Sequence, residues 1–264
     1  MQLDTSGFRQ VGAQASWDKK TPDWAVAVAD FGPWIFAAVV VVCLVRALVQ
    51  GRRYSARDVF GANEQSTTHQ ALVAAEARTT GEIVPVVLER SDAHSEAEWM
   101  SALAAVILGS LLLAEYLPWH EARELLSAQL ALGALGFALA RFVPGWKRMF
   151  VSEKRASDVA EKQAVNEFHR LGLSNTHART GVLLFVSLFE RRVVVLGDAG
   201  IHAKVGDEHW STTRSAILKK VRRGRIDEGL VDGIRASGDV LAEHFPWTLG
   251  DRNELPDRVV VRRE

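Results

Sequence analysis

The stretch WMSALAAVILGSLLLAEYL, Trp99–Leu117, is followed after a short polar turn by LLSAQLALGALGFALARFV, Leu125–Val143. At about 1.5 Å of rise per residue, either run in helical form covers roughly the 30 Å of a bilayer's hydrocarbon core. A helix that packs inside a soluble protein keeps a polar stripe for water, and these two have none. Ser101, Ser110, Ser127 and Gln129 are scattered, and Glu115 and Arg141 lie near the ends. The reading is a transmembrane helical hairpin within 98–143, with a pair of core helices in a soluble protein as the rival.

A hairpin leaves and returns through one membrane face, so the chain on either side of it can fold together. Before it, Ser66–Arg78 reads as a short helix ended by Thr79–Gly81. Glu82–Leu88 (EIVPVVL) reads as a β-branched strand buried on both faces, with Pro85 placing it at a sheet edge or a bulge. After it, Ser152–Leu171 repeats Val159, Ala160, Ala164, Val165, Phe168 and Leu171 at helical spacing, and Gly172 stops the run. Gly181–Leu188 (GVLLFVSL) and Val193–Leu196 flank the turn Glu190–Arg192 and read as two hairpin strands. A helix capped near Gly206 or Asp207 carries Trp210, Ile217 and Val221 to a stop at Gly224, and a last helix runs from Ile226 to Phe245.

The fold class that follows is α/β, an αβα sandwich around a small mixed sheet whose first two strands are parallel through a right-handed crossover. The domain is split, residues 66–92 and 152–250 forming its two parts, and 251–264 is a C-terminal tail. Residues 1–23 read as a flexible arm. Residues 24–50 read as a further transmembrane helix, because Trp34–Val45 is uninterruptedly apolar; a helix lying in the interface is the alternative, since Asp30 and Pro33 shorten the run. No basic region leads directly into that run and no small-residue site closes it, unlike a cleavable signal.

Net charge is zero, which argues against a surface built to hold nucleic acid. The basic residues are nevertheless placed unevenly. Arg46, Arg52, Arg53 and Arg57 follow the first run, and Arg141, Lys147, Arg148, Lys154 and Arg155 lie at or beyond the end of the third. The hairpin turn carries Arg123 against Glu121 and Glu124, while Lys19 and Lys20 weakly oppose the pattern. Positive flanks stay in the cytosol, so the expectation is a multi-pass protein of the bacterial inner membrane with its soluble domain on the cytoplasmic side.

Three stretches, TTGEIVPVVLERSD (Thr79–Asp92), RTGVLLFVSLFERRVVVLGDAGI (Arg179–Ile201) and GRIDEGLVDGI (Gly224–Ile234), resemble the TPM-domain family. The hairpin's position between first strand and second helix, and the tail DRNELPDR (Asp251–Arg258), resemble its bacterial membrane-protein branch. The resemblance spans about Ser66–Val261. It implies the αβα sandwich and a family that includes thylakoid-lumen proteins linked to photosystem II repair, an acid phosphatase and calcium binders. Many TPM domains carry an asparagine pair before the glycine matching Gly181; Arg179 and Thr180 stand there in this chain.

The topology brings Glu82 and Asp198 to one end of the sheet, with Asp207 just downstream. Their hard oxygens would suit Ca2+ or Mg2+, although carboxylates in such places more often cap helices or pair with arginines, and the spacing is not that of an EF-hand. Lys219, Lys220, Arg222, Arg223 and Arg225 form the clearest charged run. They complement a helix C-terminus, and on a tethered domain they would reach lipid headgroups. Phosphate-binding loops, dinucleotide motifs, nucleophile elbows and HExxH are all missing, and the single cysteine, Cys43, excludes a disulfide within the chain or a cysteine-rich zinc site. The function expected is therefore an interaction or assembly factor for a membrane partner, with a divalent-metal-dependent phosphatase as the alternative. The partners expected are the lipid bilayer and another membrane protein, without nucleic acid. Self-association through Gly136 and Ala140 is also open.

Overall fold

The four-stranded sheet has the order β3-β2-β1-β4, and each of its long strands is a run the chain cannot leave in water. The computed structural model describes Val45 and residues 62–116, 122–176, 178–205, 207–249 and 253–262. The arm at 1–23 and the apolar run at 24–50, Val45 aside, lie outside the described residues.

In chain order the elements are α1 (Ala62–Glu76), β1 (Glu82–Leu88), α2 (Ser95–Tyr116), α3 (Ala122–Phe142), α4 (Pro144–Arg148) and α5 (Glu153–Arg170). There follow β2 (Gly181–Ser187), β3 (Arg192–Gly197), α6 (Ala199–His202), α7 (Asp207–Arg222), α8 (Ile226–His244) and β4 (Val260–Arg262). Strand β1 is parallel to β2, pairing Glu82 with Gly181 through to Leu88 with Ser187. Strand β3 returns antiparallel to β2. Every residue of β1 and β2 is buried, as continuous apolar strands covered on both faces require.

Alternation divides the sheet into two cores. Ile83, Val87, Val182, Leu184 and Val186 face α1, α7 and α8, where Leu72, Ile217, Leu230, Ile234 and Leu241 pack on them. Val84, Val86, Leu88, Leu183 and Phe185 face α5 through Ala160, Ala164 and Phe168. The sandwich is thus αβα. Helix α5 is set at both ends as its sequence dictates: the Ser152 hydroxyl accepts from the Arg155 amide at 3.2 Å, and Gly172 takes a left-handed φ of 75° just past the C-terminal cap.

Pro85 has a precise position. The Glu82 amide donates to the carbonyl of Thr180, just before β2, whereas the Ile83 amide donates to Glu76 and the Glu89 amide, just past β1, to Arg262, so odd-numbered amides along β1 point away from β2. The fourth strand pairs only Val86–Leu88. Pro85 therefore occupies a site on β1 where the missing N–H would face a side the neighbouring strand has not yet reached. The tail, which carries no strand in the sequence reading, supplies that neighbour as β4.

Helices α2 and α3 pack on each other as an antiparallel pair. Gly136 makes the close approach possible: a Cβ there would lie 2.7 Å from the Ala105 Cβ and 2.7 Å from the Ser101 carbonyl. The Ser101 hydroxyl donates to the Gly136 carbonyl at 2.7 Å. Gly136 and Ala140 are thus buried inside the hairpin. Both helices are long and apolar enough to cross a membrane, with only 17% and 11% of their apolar windows buried in the protein, which a pair of soluble-core helices would not show. Leu103, Ile107, Leu111, Leu126, Leu130 and Phe142 are exposed along them.

Candidate functional site

The sheet brings Glu82 and Asp198 to the same end, as their positions in β1 and after β3 dictate. Glu82 pairs with Gly181, and the Asp198 amide donates to the Gly181 carbonyl at 2.9 Å. Their carboxylates have different employment. One oxygen of Glu82 accepts from the Glu254 amide at 2.9 Å, tying the C-terminal tail to β1. Asp198 Oδ1 caps α6 by accepting from the Ala199 amide at 2.7 Å, and Oδ2 is buried without a hydrogen-bond partner. That orphaned oxygen is the feature here that suits a cation, and it is one ligand atom. The side chain of Asp207 lies outside the described residues.

Beside Glu82 stands a carboxyl that sequence reasoning did not single out. Glu76, at the end of α1, accepts from the Ile83 amide at 3.1 Å, which lowers its pKa, but burial outweighs this and Asp257 and Glu82 add repulsion. The pKa is pushed up to about 9. A raised carboxyl beside other acids is a form active sites use for proton transfer. In sequence Glu76 is one more polar residue on a short helix, so its only signal is three-dimensional.

The opposite end of the sheet holds a denser arrangement, where the hairpin joins the domain. Glu190, fully buried, accepts from the Ser91 amide at 3.1 and 3.2 Å and from the Ser187 hydroxyl, and it shares a 2.7 Å hydrogen bond with His94 Nε2. His94 is 1% exposed, stacks on Phe189 with ring centroids 5.3 Å apart, and adopts a φ of 48°. Its Nδ1 has no hydrogen-bond partner and lies 3.5 Å from Glu96 and 3.9 Å from Asp92. Asp92, His94 and Glu96 bring three ligand atoms within 4.8 Å of one another. The Arg155 guanidinium occupies that charge centre, 2.7 Å from Asp92 and 3.3 Å from Glu96. It supplies the positive charge a metal ion would otherwise bring.

Below this lies a buried ion pair. Lys147 Nζ donates to Glu98 at 2.9 Å and to the Ala93 carbonyl at 2.5 Å, so the start of α2 is clamped to the end of α4. Ala97, Val151, Ala156 and Phe189 close a small apolar core around it. Trp146 Nε1 donates to Ser101 at 2.8 Å.

Two members of the basic run, Lys220 and Arg225, are paired within the domain. Lys220 bonds Asp232, and its pKa is held above the usual lysine range by that carboxylate; it also lies 3.6 Å from Glu228, and Arg225 lies 3.2 Å from Glu228. The two Lys220 pairs staple α7 to α8, and the Arg225 pair is local to the start of α8. Arg222 instead lines a cavity with Arg148, Arg191 and Arg192.

A family model described as TPM domain matches residues 147–240, which takes in α5 to α7, β2, β3 and most of α8. The NMR structure of BA42 protein from the psychrophilic bacterium Bizionia argentinensis is 25% identical to this chain. The match covers 76% of this chain and 94% of that one, with a TM-score of 0.47. No curated protein matches.

Proposed function

Because this chain carries a TPM domain at residues 147–240, we propose that it is a membrane-anchored interaction factor, its αβα domain held at the bilayer by the α2–α3 hairpin to dock a membrane partner. The observation that carries this reading is the joint. A flexible tether needs no buried ion pair, yet Lys147, Glu98 and His94 sit almost wholly inside the protein where hairpin and domain meet. Charged groups so placed fix an orientation, at a cost in desolvation that a plain anchor would not require. Exposed leucines along α2 and α3 and the basic residues after α3 support insertion with the domain on the cytosolic side.

Two measurements on the full chain test this. In a Cys43→Ser background, Arg57→Cys and Glu264→Cys should resist a membrane-impermeant thiol reagent in intact cells while His120→Cys reacts. The reverse pattern would put the domain outside. On native gels of gently solubilised membranes, the chain should migrate well above its own 29.1 kDa together with a second protein. Migration as a bare monomer in several mild detergents contradicts a docking role.

The orphaned Asp198 Oδ2 favours a second reading, a divalent-metal-dependent phosphatase. In it Asp198 and Glu82, with Asp207 nearby in sequence, would hold Ca2+ or Mg2+, and the metal would polarise a phosphoryl oxygen. Calorimetry of the full chain with either ion decides: binding that vanishes in Asp198→Asn supports the enzyme, and no binding removes it.

A further inference from the structure

The cavity between the hairpin root and the β2–β3 turn has a volume of about 440 Å3, and four arginines line it: Arg148 from the end of α4, Arg191 from the turn, Arg192 from the start of β3, and Arg222 from the end of α7. Two carboxylates also line it, Glu153 and Glu190, and the balance is positive by two charges. Glu190 is turned to the buried His94 and Ser187 and is thereby engaged away from any ligand. Glu153 is clamped between Arg148, at 2.7 Å, and Arg192, at 2.5 Å. The hydrogen bond from Arg148, the largest of the effects that favour its charged form, holds its carboxyl below the usual range. Arg222 is exposed among the lining residues, and the Nε groups of Arg148 and Arg192 are buried without hydrogen-bond partners. Natural proteins seldom leave such donors unsatisfied.

The position narrows the ligand. Arg148 is six residues beyond Phe142, where the apolar helix ends. Val143 between the two helices is extended, and the single short turn of α4 rises only about 8 Å, so Arg148 stays near a headgroup layer about 5–8 Å deep on each side of the hydrocarbon. Met149, an exposed apolar side chain, also lines the cavity. A cluster of planar guanidinium forks suits a phosphate oxygen set better than lysines would.

We propose that this cavity binds the phosphate of an anionic lipid headgroup, and that the arginines thereby fix the angle at which the domain stands on the membrane. The inference rests on the membrane-anchored reading above. It also moves the lipid contact from the run Lys219–Arg225 to Arg222 and to residues from α4 and the β2–β3 turn.

The test uses the purified full chain in nanodiscs or neutral-detergent micelles, with native mass spectrometry counting retained lipid. Phosphatidylglycerol should be retained at least tenfold over phosphatidylcholine. The advantage should fall to near unity in Arg222→Glu, whose side chain is exposed and takes no part in the Glu153 clamp, and in an Arg191→Asn, Arg222→Gln double variant. Unfolding curves matching the parent show that the variants have folded. Displacement by millimolar inorganic phosphate, with no preference among phosphate-headgroup lipids, reassigns the cavity to free phosphate and overturns the lipid claim. Equal retention by parent and variants, or no headgroup preference in the parent, overturns the site altogether. Carbonate extraction from native membranes keeps the two readings apart: a chain that leaves with the wash refutes the anchor itself, whereas one that stays embedded without headgroup preference refutes only the cavity.

Discussion

Glu76 shows how one buried carboxyl sets a pH dependence for the whole domain. With a pKa pushed up to about 9 by burial, the folded protein keeps this proton between its ordinary value of 4.5 and about 9, while the unfolded chain has released it. The folded state binds more protons over that window, so this group makes stability fall as pH rises, the opposite of a salt-bridged carboxylate. Glu76→Gln removes the ionisation and keeps an oxygen to accept from the Ile83 amide. Thermal unfolding of parent and variant should coincide near pH 5 and diverge towards pH 9, the variant gaining on the order of 1–3 kcal/mol. Parallel curves across the range would falsify the assignment. None of this was legible in the sequence, where Glu76 resembles any helix-surface acid. Asp198, by contrast, was readable as a residue at a strand finish, because the apolar run Val193–Leu196 announces its own end. His94 and Glu190 lie 96 residues apart, and nothing local pairs them.

At the scale of elements, the strands buried on both faces were legible because Ile83–Leu88 and Val182–Val186 are apolar throughout, and α5 because its cap, period and stop agree. The strand β4 was not. Val260–Arg262 is a three-residue segment among charges, and only the exposed edge of β1 gives it a partner. That edge makes a paired prediction. Pro85→Ala restores an N–H where β4 is not yet present, and should cost at most about 1 kcal/mol, mostly through the freer unfolded chain. Val87→Pro deletes an amide that points to β4 in the ladder with Val261, and should cost about 3 kcal/mol or more. Denaturant midpoints of the two variants check the argument: if both are tolerated alike, the side of the sheet assigned to Pro85 is wrong.

At the scale of the molecule, the question is whether hairpin and domain are one body. Lys147 and Glu98 answer first. Lys147→Met leaves Glu98 buried beside an apolar chain and should destabilise by about 3–5 kcal/mol, whereas Lys147→Met with Glu98→Leu should recover most of the loss, because both charges are then gone. If the double variant is as unstable as the single one, packing and not charge holds the joint.

The entry and exit of the hairpin are close in space, since Lys147 reaches the Ala93 carbonyl at 2.5 Å and Arg155 reaches Asp92 at 2.7 Å. The two large cores, on either face of the sheet, take no residue from α2 or α3. Replacing residues 95–149 by a short Gly-Ser loop should therefore leave a soluble domain with its sheet intact. The loss falls on the small core at the joint, where Val151, Ala156 and Phe189 would meet water. A monomeric product that unfolds in one cooperative step is the expected result. Its amides in β1 and β2 should exchange as slowly as those of the full chain. Slow exchange in β2 alone, with β1 open, would mean that the hairpin holds the two halves of the domain together, and that the domain exists only where the membrane assembles it.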